Sequence, residues 1–250
     1  MITILIPCYN EERNLKRGVL NEVFNFLKTQ DFSWEVVITD DGSSDASVEI
    51  INKEINDKPG FRIIENEHGG KPVTLYHGMK VCRGEYVLFA DMDQSTPITE
   101  LKKLIPYIKK YDVIIGSRGL ERKNFPFYRK LGSKVFINFR KSMLLPEIKD
   151  TQCGFKLFKL EAVKKAFPLL EFFKTKKSAR GWTVTSYDVE LLHILKKMGH
   201  KICEVEVNWN DRDESTSKGG SIQKYFKESK SMATQIIRVK INDLRGLYDI

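Results

Sequence analysis

What the 250-residue sequence lacks narrows its class before any motif is read. Its four cysteines, Cys8, Cys82, Cys153 and Cys203, stand far apart and form neither a zinc knuckle nor a C-x-x-C redox pair, so reduced thiols in a cytosolic protein are expected. With 8 prolines and 16 glycines, the chain is neither collagen-like nor of low complexity. No apolar run approaches the roughly 18 to 20 residues that span a bilayer, and Met1 to Pro7 carry no basic leader segment. The expected location is therefore the cytoplasmic side.

What is present suffices for a real core: 41% hydrophobic against 30% charged residues, in a length that fits one large domain or a domain with an appendage. Lys and Arg total 42 against 33 acidic residues, a net charge of +9. Such an excess favours anionic partners without choosing among nucleic acid, acidic lipid and phosphorylated substrate.

Patterning supplies the architecture. Short β-rich runs at Ile2–Ile6, Glu35–Thr39, Phe61–Ile64, Tyr86–Ala90 and Asp112–Ile115 alternate with segments of helical spacing such as Leu15, Val19, Val23, Phe26 and Leu27. This predicts an α/β fold with an open, mostly parallel sheet covered by helices on both faces. Ligands of such sheets sit beyond the carboxyl ends of the strands. There the sequence places Pro7-Cys8-Tyr9-Asn10-Glu11-Glu12, Asp40-Asp41-Gly42-Ser43 and Asp91-Met92-Asp93, three acidic clusters expected on one edge.

In an extended segment Asp91 and Asp93 point to the same side and suit a hard divalent cation that completes its shell with phosphate oxygens, although such a pair also caps turns. Asp40 and Asp41 can accept hydrogen bonds from a base or ribose, while Ser44 and Asp45 read as caps of the next helix. His68-Gly69-Gly70-Lys71 at a helix start resembles an anion site but lacks the P-loop spacing of glycines. Later segments differ in kind: Arg122–Lys141 is rich in cations and aromatics, and Ile222–Tyr248 has helical period with a basic polar face.

Taken together, Pro7-x-Tyr9-Asn10-Glu11, Asp40-Asp41-Gly42-Ser43-x-Asp45, Gly70-Lys71, Asp91-x-Asp93 and Gly116-Ser117-Arg118 resemble, in order and spacing, the inverting family 2 glycosyltransferases of the GT-A (Rossmann-like) fold. Asp150 to Lys156, Tyr187 to Leu192 and Glu204 to Trp209 resemble the branch that makes polyprenyl- and dolichyl-phosphate sugars. The resemblance covers roughly residues 1–212, taken as the catalytic domain; 213–250 is read as a basic amphipathic C-terminal helix suited to a membrane surface. Pro72 and Gln94 depart from the family pattern.

The resemblance implies roles residue by residue. Pro7, Tyr9, Glu11, Asp40, Asp41, Lys71 and Asp91 would bind the nucleotide sugar, with Asp91 and Asp93 carrying Mg²⁺ or Mn²⁺. Arg118, Arg129 and Ser133 would grip the acceptor phosphate, and Asp150 and Gln152 would complete the catalytic set. UDP-glucose is the first expected donor and GDP-mannose the second, because Asp150 to Lys156 looks like the glucosyl branch. The acceptor would be polyprenyl or dolichyl phosphate, met by a peripheral enzyme on the cytoplasmic membrane face. A phosphate acceptor is already anionic and needs positioning more than deprotonation. A hydroxyl acceptor would instead require a base among Asp150, Asp188 and Glu190. Nucleic acid is disfavoured, since acidic strand ends repel its phosphates unless a metal intervenes.

Overall fold

The computed structural model describes residues 1–119, 137–174, 187–214 and 222–249. Their centre is a sheet of seven strands in the order β3-β2-β1-β4-β6-β5-β7. In chain order these are β1 (Ile2–Cys8), β2 (Trp34–Asp40), β3 (Phe61–Glu65), β4 (Tyr86–Phe89), β5 (Val113–Ser117), β6 (Lys156–Lys159) and β7 (Ile202–Glu206). The first four run parallel, as their alternation with helices predicts. β6 then enters antiparallel between β4 and β5, and β7 runs parallel to β5.

Every residue of β1 is buried, as a central strand covered on both faces requires. Its side chains alternate between two cores. Ile2, Ile4, Ile6 and Cys8 join Leu15, Val23 and Val36 on one face, and Leu5 joins Val37, Leu75 and Met79 on the other. Helices α1 (Glu12–Lys16), α2 (Val19–Leu27) and α3 (Ser47–Ile55) cover the first face, whereas α4 (Lys71–Val81) lies on the second. After β3 the chain crosses to the far side of β1 to begin β4, which places a topological switch point between β1 and β4.

The remaining helices are α5 (Leu101–Leu104), α6 (Leu160–Ala166), α7 (Glu171–Lys174), α8 (Tyr187–Lys197) and α9 (Ile222–Leu244), with a further helical stretch at 137–143. The C-terminal segment packs on the second core through Ile236, Val239 and Tyr248. The Tyr248 hydroxyl donates to Glu190 Oε1 at 2.8 Å, Arg238 pairs with Glu171 at 2.8 Å, and Asp243 receives Lys197 and His193 at 2.7 and 3.2 Å. Among the described residues no helix is long and apolar enough to cross a membrane.

Candidate active site

Because β1 lies between β2 and β4 and all three run the same way, the loops after them emerge side by side. They are bonded to one another. Asn10, at φ +55°, accepts the Ser44 N–H at 2.8 Å through its side-chain oxygen, and its own N–H donates to Ser43 Oγ at 2.9 Å. The Glu11 N–H donates to Ser47 Oγ at 2.8 Å. A left-handed residue is affordable here because the asparagine side chain is tied in place.

Asp40 and Asp41 turn inward. The Asp40 carboxylate accepts the N–H groups of Gly42 and Ser43, both at 2.9 Å, with Gly42 at φ +73° completing the turn. Asp41 is fully buried and takes the N–H groups of Gly69 and Gly70 at 2.9 and 3.0 Å, the Thr74 hydroxyl at 2.5 Å and His68 Nδ1 at 2.9 Å. It thereby holds the turn that launches α4 and seats His68, whose ring stacks on Tyr9 at 4.5 Å between centroids. These two aspartates shape the loops on either side of Tyr9, and Pro7 sits within β1 opposite Thr39.

The other acidic pair faces outward. Lys71, at the start of α4, forms an ion pair with Asp91. Burial alone would raise the Asp91 carboxyl, but Lys71, with help from Lys156 and Arg118, holds it below the ordinary range. Asp93 is shifted the opposite way, raised by burial and by Asp91, although it accepts both the N–H and hydroxyl of Ser95 at 2.8 Å. Gln94, one of the departures from the family pattern, has a structural task. At φ +50° its amide donates to Asp91 O at 3.0 Å and accepts the Ile98 N–H at 3.0 Å, capping the turn after the motif.

Several residues of this rim were not legible in the sequence. Asn14, fully buried on α1, donates from one amide nitrogen to Glu11 at 2.5 Å and to Asp213 at 3.2 Å. Arg17 reaches Asp93 O at 2.8 Å and also bonds Arg212 O. The segment 208–214 is strapped over the motif: Asn208 binds Glu100 at 2.9 and 3.0 Å, and Asn210 N–H donates to Ser95 O at 2.8 Å. Nothing local distinguishes Asn14 or Arg17 from a solvated polar residue of an amphipathic helix.

Burial, followed by the charges of Asp213, Asp93 and Asp91, pushes the Glu11 carboxyl up to about 7 against the bond from Asn14. Glu11 and Asp93, both raised, lie beside the ionised Asp91, and such a concentration of carboxylates fits a divalent cation. Among the described residues no three His, Cys, Asp or Glu side chains gather closely enough to chelate an ion unaided. Asp91 and Asp93 are the carboxylates that the sequence resemblance assigns to a cation, which would need further oxygen ligands to complete its shell.

A pH effect follows. In the cation-free protein Glu11 binds its proton more tightly folded than unfolded, so this contribution is present below the ordinary glutamate range and is lost as pH rises toward 7. Thermal melting from pH 5 to 8 should show that decline, at most about 2–3 kcal/mol from this group. Glu11→Gln should flatten the slope, and Mn²⁺ should raise the melting temperature of the native protein at pH 8 more than that of the variant.

Across the rim, Arg118 follows the end of β5. Its Nε and Nη2 bond Asp150 at 2.7 and 2.9 Å, and its guanidinium lies 5.8 Å from the Trp209 ring centroid. Burial opposes ionisation of Asp150, yet this fork and the N–H groups of Arg118 and Gln152 hold its carboxyl at about 2. So weak a base orients an arginine better than it removes a proton. Gln152 Nε2 approaches Met232 Sδ of α9 at 3.6 Å. Lys156 binds Asp188 at 2.6 Å, while Glu190 is enclosed with Glu171 and Tyr248. Of these acids, Asp188 thus pairs with a lysine, whereas Asp150 pairs with Arg118 and Glu190 lies 3.6 Å from Arg238. His77, His193 and His200 serve Asn66, Asp243 and Asp112. Arg129 and Ser133 lie outside the described residues.

The fold is that of the GT-A class, and comparison with known proteins agrees. The model described as glycosyl transferase family 2 matches residues 3–167, and the chain belongs to that family. It is a glycosyltransferase. A dolichyl-phosphate β-glucosyltransferase of Dictyostelium discoideum is 31% identical over 268 residues, covering all of this chain and 76% of the relative. The Saccharomyces cerevisiae protein of the same description is 30% identical, covering 99% of this chain and 76% of its own length. Among solved structures, glucosyl-3-phosphoglycerate synthase from Mycobacterium tuberculosis with Mn²⁺, UDP-glucose and phosphoglyceric acid superposes with a TM-score of 0.64 at 15% identity. That match covers 96% of this chain and 79% of the other. A mannosyltransferase from Pyrobaculum calidifontis with GDP-mannose and Mn²⁺ gives 0.59 at 16% identity, covering 98% and 74%.

Proposed function

We propose that the chain transfers glucose with inversion from UDP-glucose to dolichyl or a related polyprenyl phosphate at the cytoplasmic face of a membrane, with GDP-mannose as the second-choice donor. The observation that carries this reading is the pairing of two unlike halves of one rim. Lys71, Asp91 and Asp93 suit a cation-bound diphosphate, and opposite them Arg118 is clamped between Asp150 and Trp209. The resemblance to dolichyl-phosphate β-glucosyltransferases supplies the sugar and the lipid.

In this reading Tyr9 and the loops built by Asp40 and Asp41 receive the nucleoside, Lys71 meets the diphosphate, and Asp91 and Asp93 hold Mg²⁺ or Mn²⁺. A bound Mg²⁺ or Mn²⁺ there would supply positive charge to offset that of the departing diphosphate. An oxygen of the acceptor phosphate attacks the anomeric carbon from the face opposite the nucleotide, and the bond to the diphosphate breaks with its electron pair leaving on UDP. No enzyme nucleophile and no strong base are needed. Arg118, with Arg129 and Ser133, holds the acceptor anion, Asp150 orients Arg118, and Gln152 lies beside the sugar.

The test is transfer of labelled glucose from UDP-glucose into organic-extractable lipid, abolished by chelator and restored by Mn²⁺ or Mg²⁺. Absence of a lipid product from either nucleotide sugar would overturn it. Arg118→Lys keeps the charge but loses the two-pronged bond. It should lower kcat/KM for the lipid phosphate by about 10–100-fold while leaving UDP-glucose affinity, measured by calorimetry, unchanged.

A further inference from the structure

The large apolar side chains left exposed among the described residues are few, and three of them, Ile237, Ile241 and Leu244, lie on α9 at 42%, 41% and 75% exposure. Their spacing puts them within roughly 60° of arc on a helix of 3.6 residues per turn. This stripe faces away from Ile236 and Val239, which pack on the core. Lys230 and Arg245 are exposed and Lys240 half-exposed along its flanks, so cations border apolar residues on the outer face.

We infer that this outer face of α9 docks on the interfacial region of an anionic lipid bilayer, with Ile237, Ile241 and Leu244 entering the acyl boundary and Lys230, Lys240 and Arg245 at the head groups. Cationic stems flanking an apolar stripe are the arrangement that lets charged ends remain wet while the stripe is buried. The stripe offers roughly 300 Å² of apolar surface, well short of the ~800 Å² per partner of a stable protein interface, which favours a membrane over a second copy. On its inner side the same helix meets Gln152 through Met232. Docking therefore sets the height of the segment bearing Asp150 and Gln152 above the membrane, and in this respect the inference rests on the lipid-phosphate reading.

Flotation with vesicles of phosphatidylcholine, alone or mixed with phosphatidylserine, tests it without requiring transfer. The whole chain should float with the anionic vesicles and lose that association with rising salt. The combined substitutions Ile237→Ser, Ile241→Ser and Leu244→Ser should weaken it at least ~10-fold. They should leave transfer to a short, water-soluble prenyl phosphate unchanged and reduce transfer to a long-chain acceptor in vesicles. Leu244→Trp provides a readout independent of the triple variant: its emission should shift to the blue on adding anionic vesicles. Native chain that fails to float, a triple variant that floats equally well, or a triple variant that only converts dimer to monomer would each overturn the inference. Flotation without transfer to any acceptor would overturn the proposed function and leave the docking intact.

Discussion

Asp91→Asn should reduce sugar transfer by at least ~10³-fold while leaving the protein folded. The native carboxyl is held ionised below the ordinary range, so the substitution removes a full negative charge that would hold the cation beside the departing diphosphate. Its partner Lys71 loses an ion pair, but both side chains are partly exposed, and such pairs contribute at most about 1 kcal/mol. The melting temperature should thus change little while kcat collapses. UDP-glucose titrations in the presence of Mn²⁺ should also lose most of the cation-dependent affinity. Activity within tenfold of the native chain would remove Asp91 from the reaction.

Gly154→Ala should be nearly as damaging, although it alters no charged group. A Cβ at this position would lie 2.6 Å from the Asp91 carboxyl carbon, inside any tolerable contact. Either Asp91 turns away from Lys71, or the segment from Asp150 to β6 retreats. The second route disturbs Arg118 through Asp150 and pulls on a strand wedged between β4 and β5. Overpacking of this kind costs about 1–3 kcal/mol. The expectation is a lower melting temperature together with a 10²- to 10³-fold fall in kcat. A variant that is destabilised yet fully active would show that the carboxylate need not sit where the glycine admits it. Asp91 and Gly154 thus provide paired tests, one of the charge and one of its placement.

Much of the frame was readable because the evidence for it is local. The apolar runs of β1 to β4 mark covered parallel strands, and polar residues immediately after them mark the rim. β6 escaped notice for a physical reason: a four-residue run, Lys-Leu-Phe-Lys, carries too little pattern, and Lys156 within it is buried against Asp188. The acidic clusters were recognised, but their division of labour was not. Asp41 is bound by Gly69, Gly70 and Thr74, about thirty residues away, while Asp91, paired with Lys71, stays partly exposed.

For this protein, side-chain order alone determined that a mostly parallel, covered sheet with acidic strand ends would form, since periodicity and strand-end chemistry are properties of consecutive residues. Only tertiary structure decided which acids turn inward and which open onto the rim. It also decided that Asn14, Arg17 and the 208–214 strap belong to the rim, that Gly154 makes room for Asp91, and that α9 buries one face while exposing another. Each of these depends on groups far apart in the chain meeting across a few ångströms, where burial and charge set the outcome.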